Sequence, residues 1–258
     1  MGTRAVKGRR VPISVPRGLI TDFAYLSQGY PRATVLGRIR VAELAAARAA
    51  APPPRLPWPV LFAKAFALAA RELPPLRRVY VKLPWPHLYE LPASVACVVV
   101  EREHRGEPAL FFCRLKDPAA VPLAALAARL AEAKAAPLGS VKDHRVALRV
   151  GRLPWPLRRA LLWLALNLGR QVPNYFGTFG VSALGGRGAA IAHAVAPWAS
   201  LLNYGPIGPD GTAEVYLGFD HRVVDGALAA RAIRSLERAL QGPVLAELRA
   251  QAAAARAA

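Results

Sequence analysis

The stretch from Ala213 to Gly226 constrains the fold of this chain more than any other. An alternating run, Ala213-Glu214-Val215-Tyr216-Leu217-Gly218, leads into Phe219-Asp220-His221-Arg222-Val223-Val224-Asp225-Gly226 and then into an amphipathic helix. Alternation predicts a strand, and the change to helical spacing directly after it predicts a strand–turn–helix corner. His221 therefore sits where a strand gives way to a turn, and its ring can reach a cleft. An imidazole can remove a proton near neutral pH, which makes His221 a candidate general base. The plain alternative is a surface or structural histidine in a charged turn. Asp220 and Asp225 could orient local backbone or neutralise an arginine.

Elsewhere the pattern predicts a helix near Arg17–Ser27, a strand over Thr34–Val41, and an alanine-rich helix over Val41–Ala50. Ala51-Pro52-Pro53-Pro54 reads as a stiff linker. Pro59–Glu72 follows, with Leu61, Phe62, Ala65, Phe66 and Ala69 at helical spacing. Ser94–Val100 and Ala109–Arg114 resemble strands joined by the charged segment Glu101–Glu107; Pro122–Ala135 reads as a helix and Arg145–Val150 as a short strand. Three Leu-Pro-Trp-Pro copies, at 56–59, 83–86 and 153–156, are expected to pack a tryptophan at a helix entrance or loop. Leu157–Leu168 is apolar on almost every face beside Arg158, Arg159 and Arg170, so it is either buried, the favoured reading, or embedded in a membrane or partner. In the glycine-dense run from Phe176, alternation puts Thr178, Gly180 and Ser182 on one strand face and Phe179 and Val181 on the other. A mixed sheet covered by helices is the natural architecture.

A chain of 258 residues with 54% hydrophobic content can bury a sizeable core. Its 35 basic and 16 acidic residues leave +19, which speaks to partners more than to fold. Nucleic acid, an anionic membrane and a phosphate-rich cofactor are candidates, beside a merely solvated basic surface. No zinc-finger spacing, glycine-rich nucleotide motif or RNA-binding aromatic signature is present, so specific nucleic-acid binding is not expected. Cys97 and Cys113 read as small buried hydrophobes, and there is no signal-peptide pattern; a cytoplasmic location is the default. Peripheral membrane contact through Trp155, Trp163, Arg158 and Arg159 is a variant of that reading, since Ala160–Leu168 is too short to span a bilayer. The five histidines form no ligand cluster, so no metal is expected. No G-x-S-x-G elbow is present; Ser182 is better read as a hydroxyl donor to a developing oxyanion, or as an ordinary strand serine.

Taken together, these segments resemble the catalytic domain of the 2-oxoacid dehydrogenase acyltransferases (the E2 dihydrolipoamide acyltransferases), a family that shares the chloramphenicol acetyltransferase-like fold. Asp220-His221-Arg222-Val223-Val224-Asp225-Gly226 is close to that family's C-terminal signature, and Gly177-Thr178-Phe179-Gly180-Val181-Ser182-Ala183-Leu184-Gly185 to its upstream “GTFTISNLG” segment. Pro12-Ile13-Ser14-Val15-Pro16-Arg17 resembles “PLSGMR”, and the stretch from Phe62 to Pro74 resembles the family helix containing “KAVALAL” and then “FP”. The matches run in family order over about residues 11–245.

The resemblance implies an α/β fold with a mixed central sheet flanked by helices. It implies a basic tail over 1–11, a catalytic domain over 12–245 and an alanine-rich tail over 246–258. It implies transfer of an acyl group between a coenzyme A or dihydrolipoamide thioester and an acceptor, with coenzyme A or acyl-CoA as substrate and no metal. The catalytic residues would be His221 as general base, Ser182 as oxyanion donor and Asp225, which would hold the site's architecture by pairing with Arg17; Arg17 and Gly226 would support the site. Residues that bind coenzyme A are not assigned. A homotrimer, or a larger assembly of trimers, is implied, with active sites between subunits and a small-molecule acceptor.

The sequence also departs from the family. No lipoyl or peripheral-subunit-binding domain fits before residue 12, so a stand-alone catalytic domain without an attached lipoyl group is expected. Arg32 follows Pro31 where many relatives have histidine, Val195 stands where an asparagine is expected, and Leu157–Arg170 replaces a charged helix. The acceptor could then be another thiol, an amine or a hydroxyl. A catalytically silent scaffold is the competing reading.

Overall fold

The computed structural model describes residues 8–184 and 188–257. Its centre is a six-stranded sheet built from β1 (Arg32–Arg40), β4 (Val95–His104), β5 (Glu107–Lys116), β6 (Phe179–Ala183), β7 (Ser200–Tyr204) and β8 (Thr212–Asp220). Across the sheet the order is β1-β8-β7-β6-β4-β5. The pairs β7/β6 and β6/β4 are parallel and the other three are antiparallel, giving the expected mixed sheet. A separate hairpin joins β2 (Arg78–Val81) and β3 (His87–Glu90).

One sheet face carries the larger core. Helices α3 (Trp58–Glu72), α4 (Leu123–Ala135), α8 (Gly226–Ala239) and α9 (Leu245–Ala257) cover it with Phe62, Phe66, Leu126, Leu236 and Leu248. The other face is covered only in part, where α1 (Val15–Ser27), α5 (Lys142–Gly151) and α6 (Trp155–Asn167) pack near β4–β6 with Leu19, Leu162 and Leu166 around Cys97, Trp198 and Leu201. The β6 alternation is as read from the sequence: Phe179 packs on Phe66, while a Cβ at Gly180 would run into Trp198 and Leu201 on the opposite face.

Four expectations change. Residues 145–150 are helical, within α5, because His144, Leu148 and Gly151 are buried at a spacing of four and three while Arg145 and Arg149 point outward. Six residues of mixed polarity suit either period, and burial decides between them. Residues 246–257 are helical rather than irregular: they lie in α9, which buries Leu248 and packs on α4 and on α2 (Ala42–Ala50). Its Glu247 pairs with the buried Lys64 at 2.7 Å and accepts the Leu123 amide at 2.6 Å, closing the start of α4. Third, α6 is not buried all round. Arg158 and Arg159 at its start both turn inward to the buried Asp22 of α1, so Leu157, Leu161, Leu164 and Leu168 face outward. Fourth, the Leu-Pro-Trp-Pro tryptophans are not equally packed. Trp58 lies against Phe62 and under Arg48, whereas Trp85 and Trp155 are 69% and 61% exposed, Trp155 with the Arg159 guanidinium 5.0 Å from its ring. No described helix is long and apolar enough to cross a membrane.

Candidate active site

The corner after β8 is a hydrogen-bonded turn built around Asp220. This residue is 1% exposed, and its amide donates to the Ala199 carbonyl at 2.9 Å. Its Oδ1 accepts the Arg222 amide at 3.0 Å, closing an Asx turn, and its carboxylate takes the Arg222 guanidinium at 2.6–3.2 Å. Its carbonyl accepts the Val223 and Val224 amides. The Arg222 guanidinium lies 4.6 Å from the Tyr30 ring and 4.3 Å from that of Tyr80, on β2, a cation–π clamp on both sides. Burial would lower the pKa of Arg222, but its bonds to Asp220 hold it above the ordinary range. Burial raises the Tyr30 hydroxyl above its ordinary value, against the opposing pull of Arg222.

His221 projects from this anchored turn. Its amide donates to the Pro31 carbonyl at 2.8 Å, its ring meets Phe219 edge-on at 5.6 Å, and the residue is exposed. Four residues on, Asp225 is the N-cap of α8 in extended backbone (φ −101°, ψ 169°), and its Oδ1 accepts the Leu228 amide at 2.7 Å. The expected pairing of Asp225 with Arg17 is absent: no ion pair joins these two described residues. Four free amides at a helix start draw the carboxylate into the cap. Gly226 is not required by space within the chain, since a Cβ there would meet nothing within 4 Å.

Ser182 lies elsewhere. It pairs with Asn203 of β7, which pairs with Tyr216 of β8, so His221 is two strands across and five residues along. At about 3.4 Å per residue and about 4.8 Å per strand, their Cα atoms are more than about 15 Å apart. Imidazole and hydroxyl therefore do not meet within one chain. Of the family-like segment after Ser182, residues 185–187 lie outside the described residues.

Two departures from the family pattern meet in space. The Arg32 guanidinium donates to the Trp198 carbonyl at 2.6 Å and also to that of Ala196, the residue after Val195. Burial lowers the pKa of Arg32, and its Nε and Nη1 have no partner among the described residues. The Tyr30 and Tyr80 clamp was not anticipated; Tyr80 lies in a four-residue strand whose pattern announces no function. Among the described residues no cluster of His, Cys, Asp and Glu is arranged to hold a metal ion.

No family model and no curated protein matches the sequence. Solved structures do. A probable dihydrolipoamide acetyltransferase from Listeria monocytogenes aligns with a TM-score of 0.66 at 19% identity, covering 92% of this chain and 96% of its own. The Azotobacter vinelandii dihydrolipoamide acetyltransferase, studied for the catalytic roles of a serine, a histidine and an asparagine, aligns with a TM-score of 0.63 at 20% identity over 93% and 94%. A chloramphenicol acetyltransferase aligns with a TM-score of 0.51 at 14% identity over 85% and 94%. The chain thus has the fold shared by dihydrolipoamide acetyltransferase catalytic cores and chloramphenicol acetyltransferase.

Proposed function

We propose that this chain is a coenzyme A-dependent acyltransferase whose active sites form between subunits, with His221 of one copy facing Ser182 of its neighbour. The observation that carries this reading is the placement of His221, exposed on a turn anchored at one end by buried Asp220 and at the other by the Asp225 cap. A fixed backbone with a free ring suits a general base that must meet a substrate. The separation of Ser182 from His221 within one chain supports a site completed by a second copy. A homotrimer, alone or in a larger assembly of trimers, is the assembly the family resemblance implies.

His221 removes the proton from the attacking thiol, amine or hydroxyl of a small-molecule acceptor as that atom bonds to the thioester carbonyl carbon. The carbonyl oxygen becomes an oxyanion, and the Ser182 hydroxyl donates a hydrogen bond that strengthens as the charge develops. Collapse restores the carbonyl and breaks the carbon–sulfur bond. The protonated imidazole returns its proton to the departing coenzyme A thiolate, so the histidine ends as it began. Asp220, Arg222 and Asp225 act as positioning residues. The +19 charge favours approach of the phosphates of coenzyme A.

Purified protein incubated with a panel of acyl-CoA donors and acceptors is expected to release free thiol, and His221→Ala to lose about 100-fold or more of that rate. Equal turnover by wild type and His221→Ala contradicts the assignment. No acyl-CoA binding or turnover at all favours a silent scaffold.

A further inference from the structure

The partly covered sheet face holds a cleft of about 550 Å³ whose lining includes neither His221 nor Ser182. Its floor is Leu110 and Phe112 on β5 together with Phe176; one wall is α5, through Val146, Ala147 and Val150. The opposite wall is α6 and its C-cap, through Ala165 and through Leu161 and Leu168 of the outward leucine stripe. Phe23 of α1 closes the base with edge-on contacts to Phe112 and Phe176 at 5.8 and 5.7 Å. This volume lies within the range of about 300–1,000 Å³ typical of small-molecule sites, which also combine apolar walls with few polar groups.

The charges at the cleft are unbalanced. Asp143, at its edge, is held by Arg114 and Arg129, and Asp22 of α1 by Arg158 and Arg159. Both carboxylates are thus neutralised. Arg149, on the cleft's rim, is exposed and pairs with no carboxylate among the described residues. The cleft therefore offers an alkyl-lined trough with a free guanidinium at its mouth, the complement of a chain-like apolar body with an anionic head.

We propose that this cleft binds one long-chain fatty acid, alkyl chain against α5 and α6 and carboxylate head on Arg149. The proposal does not depend on acyl transfer, and its readout is binding alone. The full chain, in its native assembly, is titrated with cis-parinarate below its micelle concentration, then with palmitate as competitor. Saturable fluorescence enhancement reversed by palmitate is expected. Ala165→Trp and Ala147→Phe, each checked for folding by circular dichroism, are expected to weaken binding about tenfold or more by filling the trough. Arg149→Glu is expected to weaken palmitate about fivefold or more while leaving uncharged hexadecanol unchanged. Absence of saturable binding, or wild-type binding by both folded trough-filling variants, overturns the proposal. So does binding seen only after dilution separates the copies, which would assign the cleft to an interface.

Discussion

Asp220 Oδ2 and Arg222 Nη2 lie 2.6 Å apart and bracket His221 with a charge-assisted hydrogen bond. The carboxylate is buried and its partner is stacked between Tyr30 and Tyr80, so the bond fixes the backbone from which the imidazole projects. Removing one member of a buried ion pair leaves the other uncompensated, at a cost of about 3 kcal/mol. Asp220→Ala is therefore expected to lower the denaturation midpoint and to reduce kcat more than it raises KM. Tyr80→Leu, which removes one face of the clamp, is expected to show the same kcat-dominated loss with a smaller stability cost. Urea titration and steady-state kinetics check both; unchanged kcat in a folded Asp220→Ala protein contradicts the positioning role.

Asp225 makes its contact to a helix rather than to Arg17, so its loss should read as a capping defect. Asp225→Ala is expected to cost about 1 kcal/mol, and Asp225→Ser to recover most of it, since a hydroxyl also accepts the Leu228 amide. Thermal unfolding of the two variants checks this. Equal destabilisation by both contradicts the capping role.

Glu247 ties the last helix to the core by neutralising Lys64 and closing the start of α4. Glu247→Ala is expected to cost about 3 kcal/mol, because it leaves an ammonium buried without a counter-charge. Lys64→Met with Glu247→Leu is expected to recover most of that loss. Chemical denaturation of the single and double variants measures the difference.

One part of the acid side of the stability profile is assigned to His144. This ring is buried against Phe111 with neither nitrogen hydrogen-bonded among the described residues. Burial, with the nearby Arg102 and Arg129 guanidinium groups, pushes its pKa down to about 4. In the unfolded chain an ordinary histidine titrates near about 6.5, so the unfolded state binds the proton first as pH falls. The stability from the neutral ring is complete above about pH 6.5 and is lost towards about pH 4, on the order of 3 kcal/mol in all. His144→Met is expected to flatten that slope between pH 6.5 and 4 in urea titrations; an unchanged slope contradicts the assignment.

Much of this architecture was legible before any coordinates. The strand–turn–helix corner around His221 announces itself by a change of period, and Phe66 with Phe179 shows the predicted faces of α3 and β6 in contact. What escaped was set by tertiary context. The segment around Leu148 carries too few residues to separate two periods, and α9 looks like a tail because the value of Glu247 depends on Lys64, far away in sequence. The outward stripe of α6 follows from Asp22 drawing two arginines inward, a contact that no local pattern encodes. The Arg17–Asp225 pairing came from the resemblance alone; what the structure shows for Asp225 is the cap of α8. Whether Ser182 and His221 meet within one copy could not be read from their spacing, because distance across a sheet depends on strand order.

That separation makes the central claim directly testable. His221→Ala and Ser182→Ala proteins, each inactive or nearly so, are unfolded together, refolded as a mixture and assayed for acyl-CoA turnover. Sites that draw His221 from one copy and Ser182 from the next regain both residues in about a quarter of random pairings, so about a quarter of wild-type activity is expected. A mixture no more active than its separate parts contradicts an active site shared between subunits.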